Sequence, residues 1–394
     1  MKQKKYTQNS SLFHSIGAIL TLVGTIIGAG ILGIPYVFSR AGFLTGLVVI
    51  IFVSIFFMYI YLSLGETLLK TKGQHQLPGL AGVYLGKKGK KILFVAMLLS
   101  SYGSLVAYLI ASGQALNNLF SSFIYISPIV NNPLFFSTMF FIIMSFLIFK
   151  GLNIIENSEI VITGILLFLI LLLFVLLFPE ISFSNVNSFS AKSLFVPYGA
   201  VFFALMGFTT VPEAVRIMDK DRSKIPMVLI LSLLIPVVFY IIFSIAIIGV
   251  MGENTSELGT LGLEAIFGPY MLILSNLFLL FSVTTSFLAI GFAQKNVFRL
   301  DYNFPKILSL FLSCGVPFIL FITLSKFMGF VDVLSFTGAV FGGMMVLLIL
   351  VISYKSKKLS IKKVSKVVYN VPMNLPLLIT SIIILIVGVL SLFF

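Results

Sequence analysis

Two short runs in this sequence expose chemistry that an intact helix would hide. The first is Gly24-Thr25-Ile26-Ile27-Gly28-Ala29-Gly30-Ile31-Leu32-Gly33-Ile34-Pro35, with four glycines and a proline in twelve residues. The second is Ala204-Leu205-Met206-Gly207-Phe208-Thr209-Thr210-Val211-Pro212-Glu213. A glycine lowers helix propensity by about 1 kcal/mol and a proline by about 3, so both runs are expected to unwind. Each lies inside a long apolar stretch, where unpaired backbone groups are tolerated only if they line a polar cavity. The amino-terminal end of a half-helix presents free N–H groups and partial positive charge, which suits a carboxylate. The opposite end presents carbonyls, which suit an amine or a sodium ion. One molecule carrying both charges, an amino acid, matches both ends.

Other reactive groups are scarce. There are two histidines, His14 and His75, and one cysteine, Cys314. That set excludes an internal disulfide framework and argues against a metal centre built on His or Cys. No paired nucleophile and base falls within an apolar stretch, so an enzyme is not expected. Glu156, Glu159 and Glu213 are the carboxylates that could carry a proton, and Glu213, just past the second run, is the preferred one. Arg40 and Asp332 both fall near the expected outer face, and we expect them to form a gate pair.

The elements that position these residues are transmembrane helices. Apolar residues make up 59% of the chain, charged residues only 10%, and mean hydropathy is +1.15. Soluble domains carry about 25% charged residues. Runs long enough to cross a roughly 30 Å hydrocarbon core recur from end to end, and the short alternating segments of a β-barrel are missing. Eleven spans are expected, at 15–39, 43–69, 91–116, 133–150, 153–178, 197–218, 226–251, 269–292, 305–324, 329–353 and 374–394. The loop after span 2 has the pattern of a short interfacial helix. The acidic loop 252–268 is expected to form a short re-entrant or capping helix.

The net charge of +14 is topological, not a nucleic-acid surface. With the amino terminus in the cytoplasm, only Arg40, Lys192 and Lys326 of the 26 basic residues fall outside. This bias predicts a plasma-membrane protein with an inner amino terminus and an outer carboxyl terminus. No signal-peptide cleavage pattern follows Lys2, Lys4 and Lys5.

One break lies in span 1 and the other in span 6. Breaks at corresponding positions of two halves point to a transporter site. A half with five spans places its second copy upside down, which predicts an inverted repeat of 1–178 and 179–353, with the basic loop and span 11 (354–394) appended, all within one transporter domain.

GTIIGAGILGIPYVFSRAGF at 24–43 resembles the first-helix signature of the amino acid/auxin permease family, within the amino acid–polyamine–organocation superfamily. The related hydroxy/aromatic amino acid permeases are similar. AYLIASG at 107–113, GFTTVPE at 207–213 and FVDVLSFTGAVFG at 330–342 resemble the third-, sixth- and tenth-helix motifs. The resemblance runs the length of the chain and implies an all-α fold like that of the bacterial leucine transporter. It implies that Gly28, Ala29 and Gly30 give amides to a substrate carboxylate. Ile26 and Ile27, with carbonyls near Ala204, Leu205 and Gly207, would sit by the substrate amine. Phe208 would close over the substrate, and Tyr102 or Tyr108 would face it. Ser282-Val283-Thr284-Thr285-Ser286 resembles the segment that completes a sodium site. The ligands there would be the carbonyls of Gly24, Ile27 and Ser282 and the hydroxyls of Thr285 and Ser286, a hard-oxygen set. The segment 161–178 lacks the lysine that replaces sodium in some relatives, which favours Na+; H+ stays open through the glutamates.

The expectation is a cation-coupled secondary carrier of neutral or aromatic amino acids, with no cofactor and with oligomeric state undetermined. Alternatives are a same-fold carrier of a polyamine, nucleobase or organic cation, and a sensor that binds without transporting.

Overall fold

The computed structural model describes the backbone of residues 2–73, 75–123, 131–150, 153–219, 221–358 and 369–390. Side chains are described over the same segments except 2–13, 153–161, 300–301 and scattered positions in 375–390. Glu156 and Glu159 therefore lie outside the described side chains.

The described chain is almost wholly helical. Span 1 is broken as its glycines require: His14–Ile27 and Gly30–Ala41 meet at a bend of 51°. Pro35 is accommodated inside the second half. Span 2 is Phe43–Lys70, span 4 Pro133–Lys150 and span 5 Asn153–Leu177. Span 6 is split into Tyr198–Ala204 and Val211–Ile217, with Leu205 and Met206 unwound and Gly207–Thr210 in a tight 3-10 turn. Pro212 stands in the first turn of the second half, where its missing N–H removes no helical bond.

Span 7 is Ile225–Met251, and span 8 Pro269–Asn296 runs on into a wider turn at Val297–Asp301. Span 9 is Lys306–Leu324 and span 10 Phe330–Lys358, each with an internal π-helical turn. Nine described helices are long and apolar enough to cross a membrane, and the bent pair of span 1 makes ten. Leu375–Leu390 is helical where span 11 was expected.

Span 3 belongs to a long helix, Leu77–Phe123, interrupted at Gly86 (φ 72°, ψ −170°). That left-handed backbone suits glycine alone. It separates the expected short helix from the span. The acidic loop holds one four-residue helix, Glu264–Phe267, and leans on span 8 through Thr260 Oγ1, which donates to the Ser275 carbonyl (3.4 Å).

Packing divides the helices. Spans 1, 2, 6 and 7 contact one another, while span 3 is surrounded by spans 4, 8, 9 and 10. The loop after span 5 seals one end of the first group. Ser182 N–H and Asn185 Nδ2 donate to the Gly249 carbonyl (2.9 and 3.0 Å), and Thr45 and Ser190 exchange two bonds.

At the lysine-rich end, Glu66 is fully buried. Its carboxylate accepts from Lys70, from Lys357 of span 10 (3.3 Å) and from the Val371 amide (2.8 Å). Tyr369 donates to the Leu62 carbonyl (2.9 Å) and Tyr59 to that of Pro372 (3.0 Å). Burial, then the charge of Glu66, pushes the Tyr369 phenol well above its usual range, so it stays a donor. The segment 369–373 is thus strapped across spans 2 and 10.

Candidate substrate site between the two breaks

The two breaks face each other, and side-chain hydroxyls fill the backbone positions that unwinding leaves open. Tyr240, fully buried in span 7, places its hydroxyl 2.5 Å from the Ile26 carbonyl and 3.0 Å from the Ala204 carbonyl. It therefore bridges the last turn before each break. Tyr61 of span 2, also fully buried, donates to the Leu205 carbonyl (3.0 Å). Ser282 of span 8 donates to the Gly28 carbonyl (2.7 Å), and the Ala29 amide donates to Ser286 Oγ (3.0 Å). Tyr108 of span 3 is buried near Ser286 and Ser104.

The glycines make this approach possible. A Cβ on Gly28 would lie 2.3 Å from Ser286 Oγ, and one on Gly30 would lie 2.9 Å from the Ala204 backbone. On Gly207 it would lie 2.4 Å from the Ile26 side chain and 2.6 Å from the Tyr61 hydroxyl. Spans 1, 6 and 8 can close on one another only where these Cβ atoms are missing.

Several sequence expectations meet here, and others do not. Ile26, Gly28, Ala29, Gly30, Ala204, Leu205, Gly207, Tyr108, Ser282 and Ser286 converge. Their backbone groups are not open, however. The Gly28 amide donates to Gly24 O (3.3 Å), the Ala29 amide is held by Ser286, and the Ala204 and Leu205 carbonyls are held by tyrosines. Tyr102 is turned elsewhere. Its hydroxyl donates to the Leu312 carbonyl of span 9 (2.6 Å), whose π-helical turn frees that acceptor. Phe208 belongs to the turn that packs on the first half of span 1. It is fully buried and stacked with Phe57 of span 2, centroids 6.1 Å apart.

The oxygens expected around a cation stand on spans 1 and 8. The carbonyl of Ser282 already accepts from Thr285 Oγ1 and Ser286 Oγ (both 3.0 Å), so hydroxyls would have to rotate to free it. Ile27 is buried one residue before the break. Glu213 is half-exposed and ion-paired with Arg216, one turn along its own helix. That pairing lies within the half-helix that follows the break of span 6. The Arg40–Asp332 gate is not formed. Arg40 lies over its own-helix Tyr36 ring (5.2 Å), and Asp332 caps span 10 by accepting from the Gly329 amide (3.1 Å). Each is satisfied within its own helix, which sequence position near one face cannot reveal.

Tyr61 and Tyr240 were missed. The available signal was a hydroxyl in the middle of an apolar span, which must find a partner when buried.

The two sides of the site differ. Every residue from Ile26 to Pro35 is buried. On the other side, Thr25 is exposed, and Thr210 and Thr285 are partly so; Thr210 Oγ1 donates to Thr25 Oγ1 (3.2 Å). The conformation is closed toward the sealed loops and more open toward the lysine-rich end.

The model of the tryptophan/tyrosine permease family matches residues 12–391. Tyrosine-specific transport system 1 of Haemophilus influenzae is 25% identical over 242 residues, covering 61% of this chain and 59% of that protein. Amino acid transporter ANT1 of Arabidopsis thaliana is 24% identical over 277 residues, covering 64% and 60%. Glutamine transporter 2 of Aliivibrio fischeri is 23% identical over 293 residues, covering 72% and 74%. The chain thus spans about three-fifths of the length of the first two relatives. Among solved structures, MhsT in complex with L-phenylalanine superposes with a TM-score of 0.68 at 16% identity, over 96% of this chain and 97% of that one. This shows the fold: a polytopic, leucine-transporter-like bundle with broken spans 1 and 6, as expected.

Proposed function

Since this chain belongs to the tryptophan/tyrosine permease family, we propose that it is a secondary carrier of amino acids working by alternating access around spans 1 and 6. The observation that carries the reading is the pairing of the two breaks through Tyr240. Two carbonyls and nearby amides are gathered in one buried place, held by neutral hydroxyls that a zwitterion's charged groups can displace. Hydrogen bonds to charged groups are worth about 1.5–3 kcal/mol against about 1 for neutral ones, so the exchange favours the substrate. The carboxylate would take the amides of Gly28 to Gly30 and the amine the carbonyls of Ile26 and Ala204.

The substrate class is neutral or aromatic, since the acid and base beside the breaks, Glu213 and Arg216, are paired with each other and Tyr61, Tyr108 and Tyr240 supply aromatic walls. The names of the relatives, tyrosine-specific and glutamine transporters, agree with this class. Coupling is to Na+ at Gly24, Ile27, Ser282, Thr285 and Ser286, with H+ as the competing ion. The lysine-rich end faces the cytoplasm of the plasma membrane, and residues 1–178 and 179–353 form the two inverted halves.

Counterflow in proteoliposomes tests the reading. Vesicles preloaded with mixed unlabelled amino acids should accumulate labelled tyrosine, phenylalanine or glutamine. Sodium dependence lost in Thr285→Ala supports the ion site, and uptake that follows only a proton gradient reassigns the coupling. No flux of any amino acid through folded protein sinks the proposal.

A further inference from the structure

The basic residues at the lysine-rich end differ in their partners, which sequence counting does not show; several exposed lysines, among them Lys87, Lys88 and Lys358, have no carboxylate partner among the described residues. On the side of spans 2, 6 and 10, Lys70 and Lys357 share Glu66, Arg216 pairs with Glu213, and Arg222 pairs with Asp219. On the side of spans 4, 8 and 9 stand Lys150, Lys295, Arg299 and Lys306, and none of them has a carboxylate partner among the described residues. They take weaker partners instead. Lys150 lies over the Phe146 ring (4.6 Å), Lys306 over Phe149 (3.9 Å) and Lys295 over Phe292 (4.9 Å). Lys295 is fully buried and donates to the Ile148 carbonyl.

Three of these cations therefore converge on the last turn of span 4, residues 146–150. Arg299, one turn beyond Lys295, repels it, as does Lys306. Gln294, the preceding residue of span 8, is buried with neither amide atom partnered. Asp301, Glu156 and Glu159, whose side chains lie outside the described residues, are the acids nearby in sequence, three against these four cations.

The surface next to this cluster is apolar. Phe146, Ile142, Ile307 and Phe311 on spans 4 and 9 are exposed, as befits a face toward acyl chains. Phe94, Phe298, Tyr302 and Phe304 form a knot of rings beside Arg299 and Lys306, the residue type that sits at the headgroup level. A topogenic role accounts for exposed lysines, but not for one buried against the Ile148 carbonyl. Basic pockets between transmembrane helices hold anionic headgroups, where a phosphate neutralises several cations at once.

We propose that the ends of spans 4, 8 and 9 form a binding site for one anionic phospholipid of the inner leaflet, its phosphate held by Lys150, Arg299 and Lys306 and its acyl chains lying against Phe146 and Phe311. Lys295, tied to the Ile148 carbonyl, positions span 4 and adds charge behind the site. The lipid stabilises the arm formed by spans 3, 4, 8 and 9, against which the broken helices move.

The test uses full-length protein in detergent, titrated with phosphatidylglycerol, phosphatidylcholine or inorganic phosphate, with thermal unfolding and native mass spectrometry as readouts. Phosphatidylglycerol should raise the unfolding temperature and remain bound as a single adduct, and phosphatidylcholine should do neither. Replacing Lys150, Arg299 and Lys306 together by Gln should weaken phosphatidylglycerol binding at least tenfold. The control with Lys87→Gln and Lys88→Gln, exposed lysines of the loop after span 2, should bind like the parent. If the triple variant does not fold, Lys306→Gln alone should weaken binding several-fold. Unchanged binding in the variants, an equal loss in the control, or the same stabilisation by inorganic phosphate alone would each overturn the proposal.

Discussion

Tyr240→Phe removes one hydroxyl and leaves the ring that fills the core. The hydroxyl stands 2.5 Å from the Ile26 carbonyl and 3.0 Å from the Ala204 carbonyl. It has one proton, so it satisfies one carbonyl fully at a time. Its loss strands a buried acceptor at a cost of about 1–3 kcal/mol. At about 1.4 kcal/mol per tenfold change, that is roughly 5- to 150-fold in an equilibrium. The carbonyls are those assigned to the substrate amine, which takes the place of the hydroxyl, so the cost falls on the empty site and not on the bound one. We expect the KM for the transported amino acid to fall about tenfold with a small change in maximal rate, because the lost contact serves the free carrier and not the bound or transition states. Unfolding temperature should also fall.

The assay is initial-rate uptake in proteoliposomes over a range of substrate concentrations. Tyr270→Phe makes the same chemical change at a largely exposed residue and serves as the control. Tyr61→Phe strands the Leu205 carbonyl in the neighbouring turn, so the double variant should be non-additive, since side chains sharing one site couple by about 0.5–3 kcal/mol. If Tyr240→Phe transports within twofold of the parent at every substrate concentration and unfolds at the same temperature, the two carbonyls do not depend on this hydroxyl and the account of the site fails.

Other perturbations follow from the same geometry. Gly207→Ala places a methyl against Ile26 and the Tyr61 hydroxyl, an overpacking of about 1–3 kcal/mol; transport should collapse, whereas Gly164→Ala, with nothing within 4 Å, should transport normally. Ser282→Ala strands the Gly28 carbonyl and should lower uptake at subsaturating substrate about tenfold, taken from the 1–3 kcal/mol of a buried acceptor; parent-like uptake would count against pairing of spans 1 and 8. Glu66→Gln leaves Lys70 and Lys357 without their shared charge, a loss that costs about 3–5 kcal/mol for a buried pair. Its strap, residues 369–373, should become open to protease in the folded protein, and unchanged cleavage would refute the strapping role.

Much of the fold was legible because the bilayer demands it. Length and apolarity fix where helices cross, and ten of the eleven expected spans recur among the described residues, with a sixteen-residue helix where the eleventh was expected. The breaks were legible for a different reason: Gly28, Gly30 and Gly207 weaken a helix by themselves, and each turns out to sit where a Cβ would strike a neighbour. The side chains around the breaks were less so. Tyr102 and Tyr108 lie on one helix within two turns, yet one bonds to span 9 and the other is buried near Ser286 of span 8. That choice depends on a π-helical turn at Phe311–Gly315, which no local pattern announces. Arg40 and Asp332 share a face but not a contact, because each finds a partner one turn away. Spacing along a chain limits which residues share a level of the membrane; it does not say which of several neighbours a flexible side chain takes.

The identity of the groups at the breaks bears on how the site switches. Backbone-to-backbone bonds would lock spans 1 and 6 in one arrangement. Tyr240, Tyr61, Ser282, Ser286 and the Thr210–Thr25 pair use hydroxyls instead. A hydroxyl donates and accepts, and rotates about one bond to do either. When an ammonium, a carboxylate or a cation arrives, each hydroxyl can yield its partner and find another without a net loss of bonds. The gain is the difference between charged and neutral hydrogen bonds, about 1 kcal/mol per contact. Three or four such exchanges amount to a few kcal/mol, the size of the gap between conformers of which the minor one is sparsely populated. Substrate and ion can therefore shift the balance of conformations by replacing hydroxyls one for one, and no buried charged side chain is needed at the breaks.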